Sequence, residues 1–462
     1  MTTPTTIIIF GATGDLARGK LYSALFDLSG KNLLPEKFRI VGFSRGEMSD
    51  KEFQELVQKS AGEGSEAMAS GASYKSGLFQ DGDSYRHLGE MLFNIDRDSG
   101  KCSNKIFYLA VAPKYYKIIF ENLANSGLTI PCTDGDGWTR VLVEKPFGDN
   151  IETAKDLDLL LGKLFRENQI FRIDHYLARE TMQNILAFRF SNTIFEPIWN
   201  SEHIDRVEIK MLEKSDLEER GAFYDDIGAL RDVGQNHVLQ MLAIIAMEHP
   251  DDLSASNIRE ERVRVLRSLK NISKDDLLKY AVRAQYEGFK GTKGVQIDSN
   301  TETYFRLKTF VDNKRWRNVP FYLEGGKGMK EDCVEINIYF KAPAKCFCPS
   351  EHKDHKHENV LSFKIKPDER IEIEFWAKKP GLSMDLEPKI LNFSYGSGNE
   401  GGNVVEAYEK VLYDCIMGEQ MLFTTSEEVQ AAWNFITPIV EGWQENKSPL
   451  IMYKKGEHPD VK

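Results

Sequence analysis

The stretch TIIIF-GATGD-LARGKLYSALFDL near the start of the chain constrains the fold more than any other. TIIIF, ending at Phe10, is β-branched enough for a buried parallel strand. Gly11 and Gly14 permit a tight turn, and from Leu16 the apolar residues Leu21, Leu25 and Leu28 recur at helical spacing. Strand, glycine turn and helix open a nucleotide-binding βαβ unit, whose helix start can turn backbone N–H groups toward a pyrophosphate. Ala17 is the small residue that lets helix and strand pack closely. The pattern is GxxGxxA rather than GxGxxG, so on its own it fits a glycine turn of any α/β protein equally well.

The segments that follow shift this balance. FRIVGFS at 38–44 reads as the second strand and ends at Arg45. A carboxylate at such a strand end holds the ribose 2′-hydroxyl of NAD, whereas an arginine suits the 2′-phosphate of NADP. The alternative for Arg45 is a solvated loop cation. KIFYLAVAP at 105–113 and RVLVEKPFG at 140–148 read as further strands of the same sheet. The second runs into Glu144-Lys145-Pro146, a turn able to hold a cis peptide. Lys145 then projects from the carboxyl end of a strand, where open α/β sheets place their ligands.

At 462 residues the chain exceeds what one hydrophobic core usually supports, so two domains are expected. The net charge of −11, with no basic block, argues against nucleic acid as a partner. A phosphorylated substrate would then need a local cationic pocket. The first residues read as a strand rather than a signal peptide, and no apolar stretch approaches a membrane span. Six scattered cysteines make a disulfide framework unexpected, and a cytoplasmic enzyme is the expectation.

Chemistry concentrates in FRIDHYLARE at 171–180 and RDVGQNHVLQ at 231–240. A helix after Asp174 would place His175 and Arg179 four apart on one face, a compact phosphate clamp. Val233 to Met247 is apolar nearly all round and reads as a buried helix, so Asn236, His237 and Gln240 each need a partner there. Oxidising an alcohol or hemiacetal requires a group to take the hydroxyl proton, and a neutral histidine fits. A buried carboxylate on its other ring nitrogen would fix the tautomer, and Asp174 is the candidate. Spacing identifies His175 and His237 without choosing between them. CFCPSEHKDHKH at 346–357 falls between two strand-like segments, VEINIYF and VLSFKIKP, and reads as a solvated loop rather than a metal site. GGNVVEAYEKVLYDCIMG at 401–418 and EEVQAAWNFITPIVEGW at 427–443 read as late helices packing on a sheet.

GATGDLARGKLY, IVGFSR, FYLAVAP, VEKPFG, FRIDHYLARE, FEPIWN, RDVGQNHVLQMLAIIAME and VPFYLEGGKGM occur in the order seen in glucose-6-phosphate dehydrogenases, so the chain resembles that family. The resemblance implies NADP-linked oxidation of C1 of glucose 6-phosphate to 6-phosphogluconolactone, at the start of the oxidative pentose phosphate pathway, with NAD as a second-choice acceptor. It implies a Rossmann-type α/β domain over 1–174 and an α+β domain over 175–462, the latter with a large mostly antiparallel sheet used for dimerisation or tetramer formation. It makes His237 the base and Asp174 its orienting carboxylate, with His175, Tyr176 and Arg179 holding the phosphate. Lys20, Lys145, Glu213, Asp232 and Lys327 would contact sugar hydroxyls or phosphate. Gly11, Thr13, Gly14, Asp15, Leu16, Arg45, Tyr116 and Lys145 would lie along the cofactor, and no metal is needed.

Three positions depart from the family pattern. Ala178-Arg179 replaces Gly-Lys, Asp332 stands where another cation is common, and Lys366 stands where glutamine is frequent. Two other readings fit the same residues: a related sugar dehydrogenase, and a non-catalytic NADP-binding sensor.

Overall fold

In the computed structural model, which describes residues 3–131, 137–148, 150–217, 220–343, 357–395 and 405–460, the chain divides into two compact units. The first comprises Met1–Ala178, Ser254–Ser256 and Val405–Ser426; the second comprises Arg179–Leu253, Asn257–Val404 and Glu427–Lys462.

The first unit is built on a parallel sheet of β1 (Thr5–Phe10), β2 (Phe38–Ser44), β3 (Ser73–Ser76), β4 (Asn104–Leu109), β5 (Thr139–Val143) and β6 (Ile170–Arg172). The spatial order is β3-β2-β1-β4-β5-β6, so the chain reverses direction across the sheet between β1 and β4. That reversal opens a crevice at the carboxyl ends of the strands, where doubly wound sheets hold nucleotides. Every residue of β1 and β4 is buried, as sheets covered on both faces require. β4 ends at Leu109, four residues short of the segment that reads as a strand, because Pro113 opens a 3₁₀ turn over Pro113–Tyr115.

The second unit carries a sheet of β7 (Ile204–Leu212), β8 (Ala281–Tyr286), β9 (Tyr304–Phe310), β10 (Pro320–Gly326), β11 (Cys333–Phe340), β12 (Val360–Lys366), β13 (Arg370–Lys378), β14 (Leu386–Ser394) and β15 (Leu450–Tyr453). Its order is β14-β13-β12-β11-β7-β10-β9-β8-β15. The β7–β10 and β8–β15 pairs are parallel and the other neighbours antiparallel, so the sheet is mixed and mostly antiparallel as expected. The apolar segment that reads as one buried helix is a π-helical stretch, Leu230–Val238, continuing into the α-helix Leu239–Ala246. Every residue of the α-helical part is buried.

Contacts group the chain into units that are not two continuous segments. The first unit extends to Ala178 and takes back the segment 405–426, so the late helix Ala407–Met417 packs beside the helix Tyr22–Gly30 of the first unit. The reason lies in its contacts. Lys31 pairs with the buried Glu409, Arg140 donates to the carbonyls of Cys415 and Ile416, and Gln420 Nε2 donates to the carbonyls of Glu167 and Ile170, each at 3.0 Å. Cys102 is disulfide-bonded, whereas Cys333 and Cys415 are free, so scattered cysteines do not leave the chain without any disulfide. Apart from His357, which stacks on Trp376 with ring centroids 4.0 Å apart, the Cys/His run at 346–357 lies outside the described residues. Among the described residues no group of three or more His, Cys, Asp or Glu side chains could hold a metal ion, and no helix is long and apolar enough to cross a membrane.

Candidate functional site

In the first unit the glycine turn follows β1 directly. Gly11 has φ +78°, and a Cβ there would stand 2.4 Å from the Ala110 carbonyl oxygen, so only glycine fits between β1 and the end of β4. Its N–H donates to the Phe43 carbonyl at 2.9 Å, and Gly14 N–H closes the turn onto the Gly11 carbonyl at 2.9 Å. Thr13, Asp15 and Leu16 line the outside of this turn, and Ala17 is fully buried. Lys20 lies on a π-helical turn, Ala17–Leu21, which hydrophobic periodicity does not signal. Arg45 is exposed immediately after β2, the position that suits a 2′-phosphate. The bare backbone of the turn and this cation fit a phosphorylated dinucleotide.

Glu144 follows β5 directly, and the Lys145–Pro146 peptide is cis. Glu144 is buried: Tyr108 Oη donates to its carboxylate at 2.6 Å, and Tyr116 Oη donates to its carbonyl at 2.8 Å. Burial pushes the Glu144 carboxyl above the usual range, and the Tyr108 bond and the neighbouring Lys145 charge only partly oppose it. Tyr116, implied to lie along the cofactor, is buried with its hydroxyl spent on this turn. That bond also fixes the backbone next to Lys145.

Asp174 is buried, and its Oδ1 accepts the Tyr176 N–H at 3.0 Å. Residues 175–178 form a turn and not a helix; the helix begins at Glu180, with Arg179 as an extended N-cap (φ −68°, ψ 142°). The Asp174 side chain caps this turn by accepting the Tyr176 N–H, and the Leu177 N–H closes it onto the Asp174 carbonyl at 3.1 Å. The four-residue spacing of His175 and Arg179 consequently does not put them on one helix face. His175 and Tyr176 sit on the first unit, and Arg179 begins the second. There Arg179 Nη1 lies 3.4 Å from Glu369 Oε1, and Glu369 also accepts the Thr181 N–H at 2.8 Å.

The second unit gathers three of the expected residues into one cluster. β7 and β10 run parallel with Leu212 opposite Gly326, so the next residues, Glu213 and Lys327, leave the sheet side by side. Lys327 Nζ stands 2.8 Å from Glu213 Oε2 and 3.1 Å from Asp232 Oδ2. Burial works against the lysine charge, but Asp232 and Glu213 outweigh it, and the pKa rises above the usual lysine value. Asp232 reaches the cluster because its π-helical stretch lies against β10. A Cβ at Gly325 would meet Phe305 at 2.5 Å and Val233 at 3.1 Å, so glycine there permits the approach. The same stretch buries His237 completely and ties Asn236 Nδ2 to the Asp232 carbonyl at 2.9 Å. Both π-helical stretches among the described residues carry candidate site residues, Lys20 on one and Asp232 with His237 on the other.

Two of the departures from the family pattern meet. Asp332 Oδ1 accepts the Lys214 N–H at 3.1 Å and lies 3.9 Å from Lys366 Nζ. Sequence reasoning missed Glu144 as a site element, although a carboxylate closing an apolar strand was its signal. Tyr108 and Tyr408, which share its surroundings, had no local signal.

Comparison with known proteins covers both units. The family model for the glucose-6-phosphate dehydrogenase NAD binding domain matches residues 8–184, and the one for the C-terminal domain matches residues 186–460. Glucose-6-phosphate 1-dehydrogenase of Borreliella burgdorferi is 40% identical over 452 residues, covering 95% of this chain and 91% of that one. Glucose-6-phosphate 1-dehydrogenase 2 of Mycobacterium tuberculosis is 37% identical over 465 residues, covering 96% and 90%. A solved glucose-6-phosphate dehydrogenase in complex with its substrate glucose 6-phosphate superposes with TM-score 0.90 at 31% identity, covering 99% of this chain and 96% of that one.

Proposed function

Because the chain belongs to the glucose-6-phosphate dehydrogenase family, we propose that it oxidises C1 of glucose 6-phosphate to 6-phosphogluconolactone with NADP as acceptor, in the opening step of the oxidative pentose phosphate pathway. In this reading His237 takes the C1 hydroxyl proton as C1 becomes a carbonyl, and Asp174 is the carboxylate that orients it. Bound NADP supplies the acceptor for the hydride that leaves C1. Glu213, Asp232 and Lys327 hold sugar hydroxyls, and Lys20 and Lys145 contact sugar or phosphate. His175, Tyr176 and Arg179 hold the phosphate. Gly11, Thr13, Gly14, Asp15, Leu16, Arg45, Tyr116 and Lys145 lie along the cofactor.

The observation that carries the reading is the Glu213–Asp232–Lys327 cluster, whose Asp232 shares a π-helical stretch with the buried His237. A structural core rarely keeps so many charges unless a ligand or a reaction uses them. The exposed Arg45 supports NADP over NAD. We place the enzyme in the cytoplasm and read it as a homodimer or homotetramer. The exposed apolar residues Ile390, Leu391 and Phe393 on β14 support assembly through the second unit's sheet.

A second reading, a related sugar dehydrogenase with less need of the phosphate, is favoured by the engagement of Arg179 with Glu369. Initial rates with glucose 6-phosphate or glucose, each paired with NADP or NAD, separate the two. The family reading expects a fast rate only with the phosphorylated sugar. His237→Asn should lower turnover about 10²–10⁴-fold while leaving binding of sugar phosphate and NADP intact. Full turnover in that variant would remove His237 from the role of base.

A further inference from the structure

His175, proposed to bind the substrate phosphate, does not stand alone on its turn. Its imidazole stacks on the Tyr408 ring, with centroids 5.9 Å apart and planes 17° from parallel. The Tyr176 ring lies at 4.9 Å with a 42° tilt. Tyr408 arrives from a part of the chain more than two hundred residues away, on the segment that the first unit takes back. It is the second residue of the helix Ala407–Met417. That helix start is held by the Lys31–Glu409 ion pair, and the segment's far end by the Thr424 N–H, which donates to the Arg172 carbonyl at 3.1 Å. Arg172 is two residues before Asp174, so the turn and the helix that brings Tyr408 are tied to the same strand.

Tyr408 also faces the end of β5. Its phenol lies beside the buried Glu144 carboxylate that accepts from Tyr108, and burial followed by that carboxylate pushes its pKa well up, so it stays neutral. One flat side chain thus borders both the carboxylate before Lys145 and the ring of His175.

We propose that Tyr408 is a positioning residue for substrate phosphate, its ring setting the plane of His175. A histidine on a turn keeps a rotatable χ2, and an aromatic face held by a helix removes that freedom before the ligand arrives. The gain appears in ground-state binding of the phosphate, because Tyr408 is not assigned any contact with the reacting C1. The inference rests on the reading that His175 binds the phosphate.

The test compares Tyr408→Met, which keeps bulk without a flat face, with Tyr408→Phe, which keeps the face and loses the hydroxyl. KM for glucose 6-phosphate and the competitive inhibition constant of inorganic phosphate should both rise about tenfold in Tyr408→Met, the scale of one misaligned charge-assisted hydrogen bond. KM for NADP and kcat should stay within about threefold, and Tyr408→Phe should stay near wild type on every measure. If Tyr408→Met does not fold, Tyr408→His, with a smaller flat ring, gives the same comparison at a smaller rise. Unchanged phosphate inhibition in the folded variants, or a loss confined to kcat, overturns the proposal. His175→Ala is measured alongside. If it leaves phosphate inhibition unmoved, the phosphate reading of His175 fails on its own account; if it weakens inhibition while the Tyr408 variants do not, only the role of Tyr408 fails.

Discussion

Replacing Lys327 by methionine removes a cation that pairs with two carboxylates while keeping most of the side-chain volume. In the wild type its ammonium stands 2.8 Å from Glu213 and 3.1 Å from Asp232, with the lysine side chain 8% exposed and the two carboxylates 23% and 18% exposed. Removing one partner of a buried pair costs about 3–5 kcal/mol, since the remaining charge is left uncompensated. Here two carboxylates remain, which adds repulsion, but each keeps some access to water, which relieves part of it. The net expectation is a loss of about 2–3 kcal/mol from the second unit. For a unit of this size each kcal/mol is worth about 2–4 °C, so Tm should fall by roughly 4–12 °C in a calorimetric scan at neutral pH. The decisive control is rescue. Adding Glu213→Gln and Asp232→Asn to Lys327→Met removes the two carboxylate charges as well, so the triple variant should regain most of the lost stability, a coupling visible only if the three act as one unit. A Tm within about 1–2 °C of wild type in Lys327→Met, or a triple variant no better than the single, would refute the assignment of this cluster as a mutually compensated buried group.

Two further outcomes test other parts of the structure. Gly11→Ala forces a Cβ against the Ala110 carbonyl at φ +78°; the left-handed conformation alone costs about 1–2 kcal/mol and the clash adds to it, so urea denaturation should show at least that loss and NADP should bind more weakly. Glu335 accepts from Lys364 and, at 2.7 Å, from Asn337, and these together with Lys210 hold its carboxyl below the usual glutamate range although burial opposes them. A depressed folded-state pKa contributes stability above the ordinary value near 4.5 that is lost as pH falls through the folded value. The Tm difference between wild type and Glu335→Gln should therefore be present at pH 7 and shrink toward zero in acid, and a difference that grows in acid would contradict the ion-pair account.

Local chemistry made β1, β2, β4 and β5 legible, because each is a compact apolar run bounded by glycine, proline or charge. β3, read as SYKS, and β6, read as IFR, are too short and too mixed to stand out, and the sheet rather than their own propensity makes them strands. The buried helix carrying His237 was plain from its apolar surface. Its π-helical half was not, since an inserted residue leaves composition unchanged and only shifts which side chains share a face. The spacing of His175 and Arg179 is helical only if 175–178 is, and the turn there, capped by Asp174 and followed by the extended Arg179, carries no periodic signal. Glu213, Asp232 and Lys327 lie far apart in sequence, so the family resemblance, and not spacing, pointed to them as a set. The place of the segment 405–426 was likewise out of reach, as its partners are carbonyls on β6 and a lysine after the first helix.

That segment has a consequence for how the chain is made. All six strands of the first unit have left the ribosome once residue 172 emerges, yet the groups that bond the carbonyls of Ile170 and Arg172 come only with Gln420 and Thr424. At about 5–20 residues per second, translation takes roughly 10–50 s to deliver them. Through that interval the edge of β6 stays uncovered, and the nascent nucleotide-binding unit is most open there to pairing with a neighbouring chain.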